Sequence, residues 1–395
     1  MFSSRKRTPN DDVRANLPRL PCPCADRPTR ARRHDGCLRH RRRQPHSTHK
    51  AGGAAHAAVE KSRSQVSDLI GVRASEIVFT SGATESNNLA LSGLADHLLA
   101  AGRNRLAISA IEHASVIEKA RAMERQGWVV DVVPVHRSGL VDMSALEAIV
   151  GAATGIVSIA WANHEIGTIQ PMGEISRLVR SKGGLLHSDL AQVAGKRPVD
   201  ASLLDLASIS AHKLGGPSGI GALYVSRRLR PKLKPNILGG GQEGGARSGT
   251  LSAPLCVGFG AACALCDEGM AQESERVARL RDRLRARLLM MPGSLENGDA
   301  ASRLPGNLNV RFDDVDGEAL VLRLQEQVSL STGSACSAKT LEPSHVLLAI
   351  GLTVPEAETA IRIGVGHGTT TDDIDEAADA IERAVAALRS TRRRA

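Results

Sequence analysis

The sequence predicts an α/β fold, a mostly parallel sheet with helices on it, followed by a smaller α+β unit. Two observations carry this. Between residues 45 and 253, seven short apolar runs alternate with helical stretches: Ile77 to Thr80, Leu106 to Ser109, Val129 to Val135, Ile156 to Ala160, Leu185–Leu186, Leu206 to Ile209 and Ala222 to Val225. Strands separated by helices return in the same direction and build a parallel layer. After about residue 253 the order changes. A charged helical segment, Met270 to Met290, is followed by short strands near Leu308 to Phe312 and Val328 to Leu330. The chain therefore divides into an arm (1–44), a large domain (45–253) and a small domain (254–395), and at 42% apolar content both domains have material for a core.

Each element has a local reason. The seven runs are rich in β-branched and aliphatic residues with few charges, as expected of strands covered on both faces. Cys263 and Cys266 lie in an Ala-rich helical stretch and read as helix packing. In the last helix Thr371 or Asp372 serves as cap, Ile374, Ile381, Val385 and Leu388 form the buried stripe, and Arg392 to Arg394 sit at the negative end of the dipole. Residues 1–44 are different: five prolines, twelve arginines and no hydrophobic period leave nothing to pack.

The charge is localised in the same way. The chain carries +9, and residues 1–44, with 13 basic and 4 acidic side chains, account for all of it. A neutral body with one basic arm lacks the distributed basic face of a nucleic-acid enzyme, and seven aromatics offer no stacking platform. The longest apolar run, Cys256 to Cys266, has 11 residues against the roughly 18 that a membrane helix needs. Seven cysteines at irregular spacing form no disulfide framework, which favours a reducing, cytoplasmic setting. Cys22, Cys24, Cys37 and His40 imitate a zinc ligand set, but no apolar residues surround them to build a site. No stable metal is expected.

Four motifs carry chemistry. Phe79 to Glu85, with Ala83 and Thr84 opening a helix, can hold a phosphate on free helix-start amides, or serve as a structural turn. Lys213, in Ser208 to Pro217, stands after a buried strand among small polar residues and glycines; it is either a solvated charge or a lysine that bonds an aldehyde cofactor. Asp189 ends a strand and is either a helix cap or the carboxylate partner of a pyridinium nitrogen. Cys336, within Ser331 to Ala338, is either a buried thiol or an exposed nucleophile on a loop without bulky anchors.

The order of these motifs, together with PHSTHKAG, IEHASV, EIGTIQP, GGGQE, RSGT, LEPSHVL and AIRI, resembles that of the pyridoxal-phosphate cysteine desulfurases of the NifS/IscS type. These are class V aminotransferase-like enzymes of fold type I with a seven-stranded sheet, and the match runs from about Pro45 to the last helix. The resemblance implies that Lys213 binds pyridoxal 5'-phosphate and moves the α-proton. Asp189 pairs with the ring nitrogen, Gln192 lies by the phenolic oxygen, and His113 stacks on the ring and shuttles protons. Ala83, Thr84, Ser210 and His212 hold the phosphate, joined by Thr250 across a homodimer. Arg362 clamps the carboxylate of L-cysteine. Cys336 takes the sulfur as a persulfide, leaving alanine, and passes it to an iron–sulfur scaffold or a tRNA-thiolation protein; as a metal ligand it is a transient iron–sulfur one at most. A related β-lyase such as selenocysteine lyase is the neighbouring reading, against which the Gly333–Ser334–Ala335 loop argues. A cofactor-binding remnant is the other.

Three departures from the resemblance stand out. No counterpart of the family's opening strand and D-x-x-A-T-T turn occurs in residues 1–44, which read as out-of-register translation or an appended arm. His164 occupies a position where an asparagine is usual, and an imidazole there is bulkier and titratable near neutrality, so altered cofactor tuning is expected. Gly244 replaces a usual arginine, thinning the charge there.

Overall fold

A computed structural model describes residues 50–328, 330–331 and 343–392. The arm and Cys336 lie outside these residues. In chain order the elements are α1 (Lys50–Leu69), β1 (Ile77–Thr80), α2 (Ala83–Ser92), α3 (Ala95–Ala100), β2 (Arg105–Ser109), α4 (Ala114–Glu124), β3 (Val129–Val133), α5 (Met143–Ile149), β4 (Thr154–Ser158), α6 (Met172–Ser181), β5 (Leu185–Asp189), β6 (Leu206–Ser210) and β7 (Gly221–Val225). Then follow α7 (Ala253–Leu289), β8 (Ser294–Glu296), β9 (Asn307–Phe312), α8 (Gly317–Leu324), α9 (His345–Ala349), α10 (Val354–Glu358), β10 (Ala360–Gly364) and α11 (Thr371–Arg392).

All seven apolar runs are strands of one sheet, in the order β1-β7-β6-β5-β4-β2-β3. β3, β2, β4, β5 and β6 pair in parallel, and β7 runs antiparallel to both β6 and β1. Side chains alternate strictly between the faces. Ile77, Phe79, Ala107, Val157, Ala207 and Ile209 join one apolar cluster, while Val78, Leu106, Ile108, Ile156 and Leu206 join another on the opposite face. Both faces are covered, so the runs look uniformly apolar in sequence although the period of two is intact. Gly221 lets β7 close on its neighbours, because a Cβ there would lie 2.4 Å from the Ile209 carbonyl oxygen and 2.6 Å from the Gly82 Cα.

Helix α7 ties two cores together. Its Ala253–Cys263 part packs into the sheet cluster, and Val277, Leu280, Leu284 and Leu288 pack with the three-stranded antiparallel sheet β10-β9-β8 and α11. The charged segment from Met270 is thus the second half of a 37-residue helix. Residues 328 and 330 are not a strand; Ser331 alone bridges to Arg362 there. The cap of α11 is neither Thr371 nor Asp372 but Thr370, whose hydroxyl accepts from the Asp373 amide (3.2 Å) while the Asp373 carboxylate accepts from the Thr370 amide (2.8 Å).

One buried ion pair fixes the loop that leads to Thr250. Both Glu243 carboxylate oxygens accept from Arg63 (2.7 and 2.8 Å), and one also accepts from the Phe79 amide at 2.8 Å. The Arg63 guanidinium lies 4.7 Å over the Phe79 ring. At Gly244 (φ 61°), a Cβ would sit 3.7 Å from a guanidinium nitrogen of Arg230. Arg230 donates to the Glu243 carbonyl oxygen at 2.7 Å beside it.

Candidate active site

The expected site residues gather at the carboxyl ends of the parallel strands, where open α/β sheets bind ligands. β1 leads through Ser81–Gly82 into α2, whose first residues are Ala83 and Thr84. His113 follows β2, His164 follows β4, Asp189 ends β5, and Lys213 follows β6. Beside them is a cavity of about 400 Å³ lined by His164, Gln192, Lys213 and Arg362, among others.

Lys213 sits in a tight turn, Ala211–Leu214, closed by Gly215 in the left-handed region (φ 70°). It is flanked by Ser210 and His212, whose hydroxyl and Nδ1 are 2.8 Å apart. Asp189 is held from two sides: the Asn87 amide donates to Oδ2 and the Ala191 amide to Oδ1, each at 2.8 Å. Each carboxylate oxygen keeps a further acceptor position, which is what a protonated ring nitrogen requires.

His113 caps α4. Its Nδ1 accepts from the Ser115 amide at 3.1 Å and lies 2.9 Å from the Ser115 hydroxyl. The His164 ring meets His113 edge-on, with centroids 5.5 Å apart. Arg362, on β10, donates through Nη1 to the His164 carbonyl (3.2 Å) and through Nη2 to the Ser331 hydroxyl (3.0 Å).

Burial, the neighbouring His113 and the cations Arg362 and Lys213 push the His164 pKa down to about 3. The sequence suggested titration near neutrality; the structure corrects this, since burial and the neighbouring cations hold the His164 ring neutral well below the ordinary histidine range. His187, buried between the Ser158 and Ser208 hydroxyls, is also held at about 3. Unfolding releases both to the ordinary value of about 6.5, so the unfolded chain binds more protons below that pH. Stability is therefore complete above pH about 6.5 and falls as the pH drops towards 3, by at most about 1.4 kcal/mol per pH unit for each ring. The variant His164→Asn is expected to flatten this acid limb of the thermal-unfolding midpoint, measured between pH 4 and 7 (about the range that spans the shift); an unchanged limb would refute the assignment.

Several residues that motif reading did not assign also belong here. Asn87, fully buried, joins Ser115 to Asp189. Glu112 is fully buried, accepts from the Ala160 amide at 2.7 Å, and burial raises its pKa well above the usual carboxylate range. Glu165 accepts from the Ser344 hydroxyl at 2.6 Å, and burial pushes it up as well. His345 lies 3.0 Å from the Glu112 carbonyl oxygen. Ser331, Ser344 and His345 are thus bonded to Arg362, Glu165 and Glu112 respectively. Lys196 lines the same cavity as Lys213, and burial lowers its amine to about 8. Cys266, which packs on the core from its helix, lines it too.

The residues present fit pyridoxal phosphate. They offer an amine (Lys213), a carboxylate with acceptor capacity left (Asp189), a guanidinium (Arg362) and, at Ala83 and Thr84, helix-start amides. Thr250 is exposed and does not line the cavity. Among the described residues no cluster of side chains suits a metal ion.

Residues 34–377 match the family described as aminotransferase class-V. The chain is 46% identical over 349 residues to the mitochondrial cysteine desulfurase of Arthroderma benhamiae, covering 87% of this chain and 69% of that protein. It is also 46% identical over 344 residues to the cysteine desulfurase IscS of Colwellia psychrerythraea, covering 87% and 85%. Among solved structures, a NifS-like protein superposes with a TM-score of 0.84 at 34% identity over 92% of this chain and 96% of that one. DndA from Streptomyces lividans gives 0.75 at 34% identity, covering 85% and 96%.

Proposed function

The chain belongs to the aminotransferase class-V family, and from that premise we infer that it is a pyridoxal-phosphate-dependent cysteine desulfurase, converting L-cysteine to L-alanine. The observation that carries this is the convergence of Lys213, His164, Gln192 and Arg362 on one cavity, with Asp189 held at the adjacent strand end.

When bound, pyridoxal phosphate supplies an electron sink beside the substrate's α-carbon. Lys213 holds the cofactor through its amine, which then accepts and returns the α-proton. Asp189 keeps the ring nitrogen protonated. His164, neutral, and Gln192 would serve the cofactor's phenolic oxygen as hydrogen-bond donors. Thr84, Ser210, His212 and the amide of Ala83 hold the phosphate, completed by the partner subunit's Thr250. Arg362 takes the substrate carboxylate in the bidentate geometry of a guanidinium. Cys336 receives the sulfur: its S–H gives way to an S–S bond, the substrate C–S bond breaks, and alanine leaves. The persulfide then serves an iron–sulfur scaffold or another acceptor protein in the cytoplasm. Among the described residues no helix is long and apolar enough to cross a membrane.

The test is mass spectrometry of the holoprotein after L-cysteine without reductant. One added sulfur on the peptide containing Cys336, absent in Cys336→Ala, is the expected result. Alanine formed with no added sulfur on that peptide would refute the role of Cys336.

A further inference from the structure

Asp189 and His113 stand at the ends of one hydrogen-bond chain. Its centre is Asn87, fully buried on α2. An amide nitrogen carries two hydrogens, and Asn87 Nδ2 spends both: one on Asp189 Oδ2 and one on Ser115 Oγ, each at 2.8 Å. The orientation of the amide follows from Asp189, since the opposite flip would set the amide oxygen against a carboxylate oxygen. Ser115 Oγ, already accepting from Asn87, has one hydrogen of its own, and its remaining neighbour is His113 Nδ1 at 2.9 Å. The same Nδ1 accepts the Ser115 amide at 3.1 Å.

We propose that Asn87 and Ser115 are positioning residues: Asn87 holds Asp189 and orients the Ser115 hydroxyl, and that hydroxyl, with the Ser115 amide, fixes His113 with Nδ1 unprotonated and its single proton on Nε2. The ring then presents Nε2–H as a hydrogen-bond donor. In this form it cannot accept a proton at Nε2, so removal of the α-proton falls to Lys213. This narrows the proton-shuttling role expected for His113. The consequence for catalysis rests on the desulfurase reading; the tautomer does not.

The experiment is a two-bond proton–nitrogen correlation spectrum of the cofactor-free, full-length protein labelled with 15N-histidine, with His113 assigned by its loss in His113→Gln. The parent is expected to show His113 Nδ1 unprotonated and hydrogen-bonded. In Ser115→Ala that resonance moves part of the way towards an unbonded ring nitrogen, since the residue-115 amide alone is left as donor, and Ser115→Thr restores it. Asn87→Ala moves it in the same direction, because the freed hydroxyl turns away for part of the time. A protonated Nδ1 in the parent, or a resonance that ignores Ser115→Ala, overturns the proposal. An unmoved resonance in a folded Asn87→Ala overturns the part of Asn87, and if that variant does not fold, the Ser115 pair still decides. Because the measurement needs no turnover, failure to release alanine would count against the desulfurase reading and leave this inference standing.

Discussion

Lys213→Ala is expected to abolish alanine release from L-cysteine, lowering turnover by about a thousandfold or more. A positioned proton-transfer group contributes about 10²–10⁴-fold, and here the same amine also holds the cofactor. The geometry leaves little slack. β6 ends at Ser210, the turn Ala211–Leu214 is locked by Gly215 at φ 70°, and Lys213 points into the cavity shared with His164 and Arg362. Cofactor retention after gel filtration should fall in parallel. The informative contrary result is activity within a few-fold of the parent. That would move the amine to Lys196, which lines the same cavity with its pKa lowered to about 8.

Arg362→Ala should raise the KM for L-cysteine by about 30-fold to several thousandfold, since removing one partner of a buried charge pair costs about 2–5 kcal/mol. Two of its five N–H donors are used by the His164 carbonyl and the Ser331 hydroxyl, which aim the rest at the cavity. Arg362→Lys recovers the charge but not the fork and should restore only part of the loss. L-cysteine methyl ester is the control: it lacks the carboxylate, so the parent and Arg362→Ala should handle it nearly alike. An unchanged KM for L-cysteine in Arg362→Ala would remove Arg362 from substrate binding.

The candidate residues of this site stand out in the sequence because strand ends and helix starts have short, local signatures. Lys213 among glycines, Asp189 after an apolar run and Thr84 at a helix start are visible without tertiary information, each with a structural reading beside the functional one. β5 was half visible: Leu185 and Leu186 read as strand, whereas His187, Ser188 and Asp189 complete it as buried polar residues that only neighbouring strands can satisfy. β8 is three residues long and carries Glu296, so no apolar pattern marks it, and in β10 the alternation Ile361-Arg362-Ile363 is too short to announce a strand. Ser115 and Glu112 fall inside the motif IEHASV, and Asn87 just beyond the stretch Phe79 to Glu85, yet none has a legible role there, because their partners are 28 to 102 residues away in the chain. His164 illustrates the same limit for charge. Its identity suggests a group titrating near neutrality, and only the fold brings His113, Arg362 and Lys213 around it to depress its pKa. The cap of α11 slipped by one residue, since Thr370, Thr371 and Asp372 are all competent and only the reciprocal bond with Asp373 selects among them.

Alanine formation from L-cysteine is the most direct test of the central claim. The full-length holoprotein, given pyridoxal phosphate and a reducing thiol, should release alanine and sulfide in equal amounts, and Cys336→Ala should lose both. A holoprotein that binds pyridoxal phosphate at Lys213 but forms no alanine from L-cysteine would contradict the account.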